Sequence, residues 1–302
     1  MKKIFICISL FISLFSVYGQ EWMTSFDIAK RLALVQDKML FVMWEESTTY
    51  SFPVILHDEK GNGVITDLFE DEEVAHLIWE NFVPVKLNET AYAELIEDIE
   101  ERRSISYVNK FNDDSIKIMD VNGFILNIDP KDEFNLDLTA FIKKYALNTK
   151  FLKGELTVYR SSPSSLSAYN LASKYLDYAI HSEKLLKTEI VKLARIYFDE
   201  ANWHLSESRD LTNEHREMQT TQIKLMRLKE YLILNRPKKV LRQLKKIEAT
   251  NNNESINKLI AFLNYTAYKL ARDEENANLW KDKVSKVDLI RGNLIVNSNI
   301  KN

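Results

Sequence analysis

A chain of 302 residues, 45% apolar and 28% charged with a formal net charge of −3, has room for two domains of ~150 residues and is too apolar to stay disordered. Six Gly, five Pro and a single Cys, Cys7, exclude collagen-like and low-complexity sequence. They also exclude glycine-rich phosphate loops of the GxGxxG or GxxxxGKS/T kind and zinc clusters built from Cys.

Lys2 and Lys3 precede an apolar run from Ile4 to Val17, and small or branched residues flank a cut after Gly19. This pattern predicts a cleaved secretory signal over residues 1–19 and a periplasmic mature protein. Cys7 lies in the middle of the run rather than at its end, so it is not placed like a lipid-modified cysteine, and the mature chain would carry no thiol. No later stretch approaches the ~20 apolar residues of a membrane-spanning helix, so no transmembrane segment is expected in the mature chain.

Phe26, Ala29 and Ala33 follow helical spacing, and Met39–Trp44 is an uninterrupted apolar run of strand length, as a strand buried on both faces requires. Val74, Leu77 and Ile78 predict a second helix, Phe82–Leu87 a second strand, and Tyr92, Leu95, Ile96 and Ile99 a third helix. Ser115–Met119 and Phe124–Ile128 read as two short strands joined in a hairpin through Asn122-Gly123, a pair that tolerates positive φ. Leu138, Phe141, Ile142 and Tyr145 close this half with a helix. The order predicts an α/β sheet with an antiparallel end.

Beyond Ser161–Ser165 no strand pattern recurs. Amphipathic stripes run through Ala168–Ala179, Leu186–Ala201, Thr221–Leu232, Val240–Ile247 and Ile256–Leu270, the first with Ser162 as N-cap and Pro163 at its first turn. An all-helical domain of helical hairpins, of the tetratricopeptide kind though without a clean 34-residue repeat, is the expectation. Pro237 and the Asn251–Asn253 run separate its later helices. Charge divides at the same place. Residues 21–150 carry 13 Lys and Arg against 26 Asp and Glu, net −13, and residues 151–302 carry 26 against 18, net +8. We therefore expect a domain over 20–150 and a second over 151–302.

Trp22 with Phe26, Ala29 and Ala33, the strand ending in Met43-Trp44, the stretch Asn81–Val85 and the Ile118–Gly123 turn together resemble the exported thioredoxin-like proteins over about residues 21–148. The resemblance implies a thioredoxin-like α/β domain, a central mixed sheet flanked by helices. It also implies a redox pair, Trp-Cys-x-x-Cys, after the strand that ends at Trp44. The loop here, Trp44-Glu45-Glu46-Ser47-Thr48-Thr49-Tyr50-Ser51-Phe52-Pro53, places Thr48 and Ser51, or Glu45 and Thr48, where the thiols would stand. The family's cis-Pro is likewise missing, since Phe111-Asn112-Asp113-Asp114-Ser115 holds no proline. Hydroxyls cannot form a reducible S–S bond, so disulfide exchange is excluded.

What the resemblance leaves is a peptide groove, with Trp44, Tyr50 and Phe52 as apolar contacts and Glu45, Glu46, Thr48, Ser51, Asp113 and Asp114 as polar ones. The strongest charge feature lies elsewhere: Lys224, Arg227, Lys229, Arg236, Lys238, Lys239, Arg242, Lys245 and Lys246 against the single acid Glu230. It predicts a surface for the chain's own acidic first domain or an acidic partner protein, or a weak contact with anionic lipid, at about 1 kcal/mol per basic residue. Nucleic acid is not an expected partner of an exported chain without a reading motif. His57 with Asp58 and Glu59 reads as a polar loop before Gly61-Asn62-Gly63 rather than a metal site, and Asp67, Glu70, Asp71, Glu72 and Glu73 as a solvated helix N-terminus. No catalytic residue, metal or cofactor is expected. The function expected is that of a redox-inactive, accessory or chaperone-like binding protein of the bacterial envelope; the alternative is hydroxyl or carboxylate catalysis at the loop residues.

Overall fold

The structure, a computed structural model, describes residues 21–128, 136–209, 211–247 and 253–300; the expected signal over 1–19 with Cys7, and Asn251 and Asn252, lie outside them. The chain forms a mixed α/β N-terminal region and a mostly helical C-terminal one. Residues 21–123 and 136–147 make one compact unit, and residues 124–128 and 148–300 the other.

In the first unit, α1 (Phe26–Gln36) starts at Ser25, whose side chain accepts from Ile28 N, and stops at Asp37, left-handed at φ 58. Its Ala29 and Ala33 are fully buried, small enough to let the helix lie close on β1 (Met39–Trp44). β1 pairs parallel with β4 (Phe82–Leu87), Met39 opposite Phe82 and Trp44 opposite Leu87. On its other edge it pairs antiparallel with β5 (Lys117–Met119), Phe41 opposite Ile118. Having neighbours on both edges and cover on both faces is why β1 reads as continuous apolar sequence. Met23 bridges Val85 and extends this sheet beyond β4. α2 (Glu72–Asn81), capped by Asp71, leads into β4. After it come α3 (Glu89–Arg102), capped by Asn88, and α4 (Ile105–Asn112), capped by Ser104, the latter absent from the sequence expectation.

The single sheet expected is two. β2 (Pro53–His57) and β3 (Gly63–Asp67) form an antiparallel hairpin, and β2 also pairs parallel with the short β6 (Leu136–Asp137), giving the order β3-β2-β6. Pro53–His57 and Gly63–Asp67, to which the sequence patterns assign no strand, are therefore strands. Its turn is built by Asp58, whose Oδ1 accepts from Lys60 N and Asn62 N at 2.8 Å, with Gly61 at φ +83. α5 (Leu138–Tyr145), capped by Asp137, follows.

The hairpin expected at 115–128 is only half formed. Gly123, at φ +90, closes a turn onto Asp120 O at 2.9 Å, but among the described residues the second strand is reduced to a single bridge at Ile125. Phe124–Ile128 joins the helical unit, with Phe124 edge-on to Tyr197 at 5.0 Å and Ile125 and Leu126 fully buried. Strand propensity at such residues measures fit to a half-buried surface, and here helices supply that surface.

The second unit contains α6 (Lys153–Ser161), α7 (Ser165–Ile180), α8 (Lys184–Glu207), α9 (Asn213–Ile233), α10 (Pro237–Ile247), α11 (Glu254–Leu270), α12 (Glu274–Lys281) and α13 (Lys286–Ile300). α7 begins two residues later than expected. Ser164 is its N-cap, in a reciprocal capping box with Ser167, and Pro163 precedes the cap. A reciprocal box satisfies backbone donors at both positions. Tyr175 stacks on Tyr197 at 5.5 Å between α7 and α8, the centre of an aromatic core that includes Tyr159. Among the described residues no helix is long and apolar enough to cross a membrane.

Candidate functional site

Trp44 ends β1 half-buried, and its indole is committed to the interior of the unit. Nε1 donates to Phe111 O at 3.0 Å, and the ring meets Tyr92 at 5.3 Å and Phe111 at 5.0 Å, both edge-on. The loop after it turns into a short 3-10 helix, Glu46–Thr49, whose Thr48 and Thr49 hydroxyls donate back to Glu45 O and Glu46 O at 2.8 and 2.7 Å. Ser47 Oγ donates to Asp114 Oδ1 at 2.9 Å, tying this helix to the end of α4. Ser51 Oγ donates to Asp67 Oδ2 at 2.6 Å, and Phe52 N donates to the same oxygen at 2.8 Å. Burial pushes the Asp67 carboxyl up, but Ser51 and the amides of Phe69, Phe52 and Glu70 outweigh it and hold it below the usual range. Phe52 is half-buried against Phe69 at 6.4 Å.

The groove residues therefore divide. Of the three apolar contacts, only Tyr50, at 76% exposure, stands out in solvent, together with the exposed carboxylates of Glu45 and Glu46. Trp44 ends the central strand of one sheet and packs on Tyr92 and Phe111, whereas Phe52 precedes the central strand of the other and packs on Phe69.

Asp113 belongs to a cluster that the sequence reading missed. Lys117, on β5, is 0% exposed, and its Nζ donates to Asp113 O, to Ser115 O at 2.9 Å and to Asp113 Oδ1 at 3.3 Å, 5.3 Å from the Trp44 ring centroid. Lys110, nearly buried on α4, donates to Ser115 Oγ and lies 3.5 Å from Asp113 Oδ2. Ser115 Oγ in turn donates to Asp113 Oδ1 at 2.6 Å. One carboxylate is thus shared by two ammonium groups and a hydroxyl. Burial lowers Lys117 to about 8, with Asp113 opposing the fall, and lowers Lys110 in the same way. Burial would raise Asp113, but Ser115, Lys110 and Lys117 together keep it below the ordinary carboxylate range. The sequence signal was a lone Lys inside the strand-length run Ser115–Met119, next to Asp113-Asp114: a charge in a buried strand needs a partner close by.

The basic group splits too. Lys229 is buried with Nζ 2.5 Å from Asp177 Oδ1, and Arg227 lies 2.7 Å from Asp199. Lys239 sits over the Tyr231 ring at 3.8 Å. Lys224, Arg236, Lys238, Arg242, Lys245 and Lys246 are exposed, and among the described residues none has an acidic partner. On α10, Val240 and Leu244 face the core, while Lys238, Arg242, Lys245 and Lys246, at i, i+4, i+7 and i+8, share the opposite face.

His57 Nδ1 lies 3.3 Å from Asp137 Oδ1, away from the turn carboxylate Asp58, and among the described residues no three His, Asp or Glu side chains converge on a metal-sized site. Comparison with protein-family models, with curated proteins and with solved structures finds no match.

Proposed function

We propose that this chain is an exported, redox-inactive relative of the thioredoxin-like proteins that acts in the bacterial envelope by binding an acidic protein surface through α10. The family assignment is supported by β1, which runs between a parallel and an antiparallel neighbour with α1 packed on it, as a central mixed sheet flanked by helices requires. Residues at the expected redox position are hydroxyls and carboxylates, and Thr48 and Ser51 spend their hydroxyls on Glu45 O and Asp67. That geometry favours binding over hydroxyl chemistry at the loop.

One observation carries the reading: four basic side chains share the outward face of α10, with no acid between Arg236 and Ile247 to neutralise them. The buried or half-buried cations Lys229, Arg227 and Arg195, by contrast, are each paired. Unpaired surface charge of one sign accelerates encounter with a surface of the other sign and is screened by salt. The test is a pull-down of the tagged mature protein from envelope extract at low and raised salt. A triple variant, Lys238→Glu with Arg242→Glu and Lys245→Glu, and Tyr50→Ala are run beside it. We expect a partner that the native protein and Tyr50→Ala retain at low salt and that the triple variant loses. A partner kept by the triple variant but lost with Tyr50→Ala would move the function to the β1 loop. Co-sedimentation with anionic but not neutral vesicles would assign the basic face to lipid.

A further inference from the structure

The acidic half of the chain carries a counterpart to α10. α3 runs from Glu89 to Arg102 with six acids and one base, and none of its residues is fully buried. Its seam, Tyr92, Leu95, Ile96 and Ile99, is half-buried, with Tyr92 stacked on Phe111 at 5.6 Å. On the opposite face Glu94, Glu97, Asp98 and Glu101 recur at i, i+3, i+4 and i+7, all exposed and without a cationic partner among the described residues. Each stripe is therefore four like charges on one helix face. At a rise of ~1.5 Å per residue, the acidic stripe extends about 10 Å and the basic one about 12 Å. They are equal in number, similar in length and opposite in sign.

We propose that α3 of one copy docks on α10 of a second copy, so that the protein self-associates head to tail through its acidic and basic stripes. This inference rests on the reading of α10 as a partner surface and names the partner. A second copy fits because it supplies the complementary stripe in strict stoichiometry, and because the net charges of the two halves, −13 and +8, give the same pairing a long-range bias. The two patches differ, so the contact is heterologous. Such contacts close into a ring or continue as a chain of subunits rather than stopping at a two-fold dimer. Exposed charge pairs contribute little one at a time, so the association gains its strength from four-on-four pairing at low ionic strength.

Sedimentation velocity of the mature protein over a concentration series tests this. At low salt the sedimentation coefficient should rise with concentration, and in ~0.5 M salt, where screening acts within a few ångström, it should fall to the monomer value. Two reversal variants decide the interface: Glu94→Lys with Glu97→Lys and Glu101→Lys, and separately Lys238→Glu with Arg242→Glu and Lys245→Glu. All six positions are exposed, and circular dichroism checks that both variants keep native helix content. Each variant alone should be monomeric at low salt, and an equimolar mixture of the two should associate, since each then presents what the other lacks. A native protein that stays monomeric, an association that either variant leaves intact, or a mixture that does not associate overturns the proposal. If the native protein is monomeric yet retains an envelope partner through α10, self-association fails and the binding reading stands; if the α10 variant alters neither, both fail.

Discussion

At the scale of single residues, Lys117 shows how a buried charge is tolerated. Its ammonium replaces water with two carbonyls and a carboxylate, and the indole of Trp44 lies near it. A lysine whose folded-state pKa lies below its unfolded value burdens the native state fully when protonated. The burden is greatest below about 8 and disappears as pH rises toward 10.5, because the unfolded chain then holds the proton that the folded chain has released. The native protein should therefore gain stability relative to Lys117→Met between pH 7.5 and 10, by up to about 3 kcal/mol. Urea denaturation of both proteins across that range measures it, and parallel pH profiles would show that Lys117 does not titrate in the folded chain. The cluster was only partly legible in sequence. Asp113 was singled out from its place in a loop, whereas Lys110 and Ser115 come to it because the turn after α4 folds back, a juxtaposition that no spacing rule encodes.

At the scale of elements, strands and helices with strong periodicity were readable from sequence: β1 and β4 run over the residues their apolar runs mark. β2 and β3 were not, because Pro53 and the polar turn at 58–62 hid a hairpin whose inward positions are few. α13 shows a constraint invisible to periodicity. Gly292 is buried where α13 crosses α11, and a Cβ there would lie 2.7 Å from Thr266 Oγ1, itself fully buried and donating to Phe262 O at 2.8 Å. Helix propensity alone would favour Ala at this position by about 1 kcal/mol. The close approach reverses that, and Gly292→Ala should destabilise the protein by about 1–3 kcal/mol. In a Thr266→Ala background the same substitution should be neutral or stabilising, so thermal denaturation of the double-mutant cycle separates contact from propensity. Equal costs in both backgrounds would mean that Thr266 is not the obstacle.

At the scale of the whole molecule, residues 124–128 cluster with the helical unit before the chain returns to the first unit over 136–147 and leaves it at Asn148, close to the charge shift. Ile125 and Leu126 are fully buried and group with the helical unit although they lie in the acidic half of the sequence. Leu126→Ala should therefore weaken the helical unit, by about 2–5 kcal/mol for a leucine core cavity. Hydrogen exchange with mass spectrometry should show faster exchange in α7 and α8 with β1 and β4 unchanged. Loss of protection in β1 and β4 instead would place the segment in the sheet.

The sequence by itself determined what depends on local chemistry: where apolar residues repeat with period 3.6 or run unbroken, where the charge changes sign, and that no thiol follows β1. Each is a property of neighbours along the chain, within reach of one helical turn or one strand. Only the tertiary structure decided that Trp44 and Phe52 face inward, that Asp113 is held between two lysines, that Phe124–Ile128 clusters with the helices, and which basic side chains stay unpaired. Apart from the Asp113 cluster, whose lysines lie three and four residues away along the chain, those outcomes depend on partners far apart in sequence, and burial, which makes an unpaired charge costly and an apolar contact favourable, selects among them only once the fold has brought those partners together.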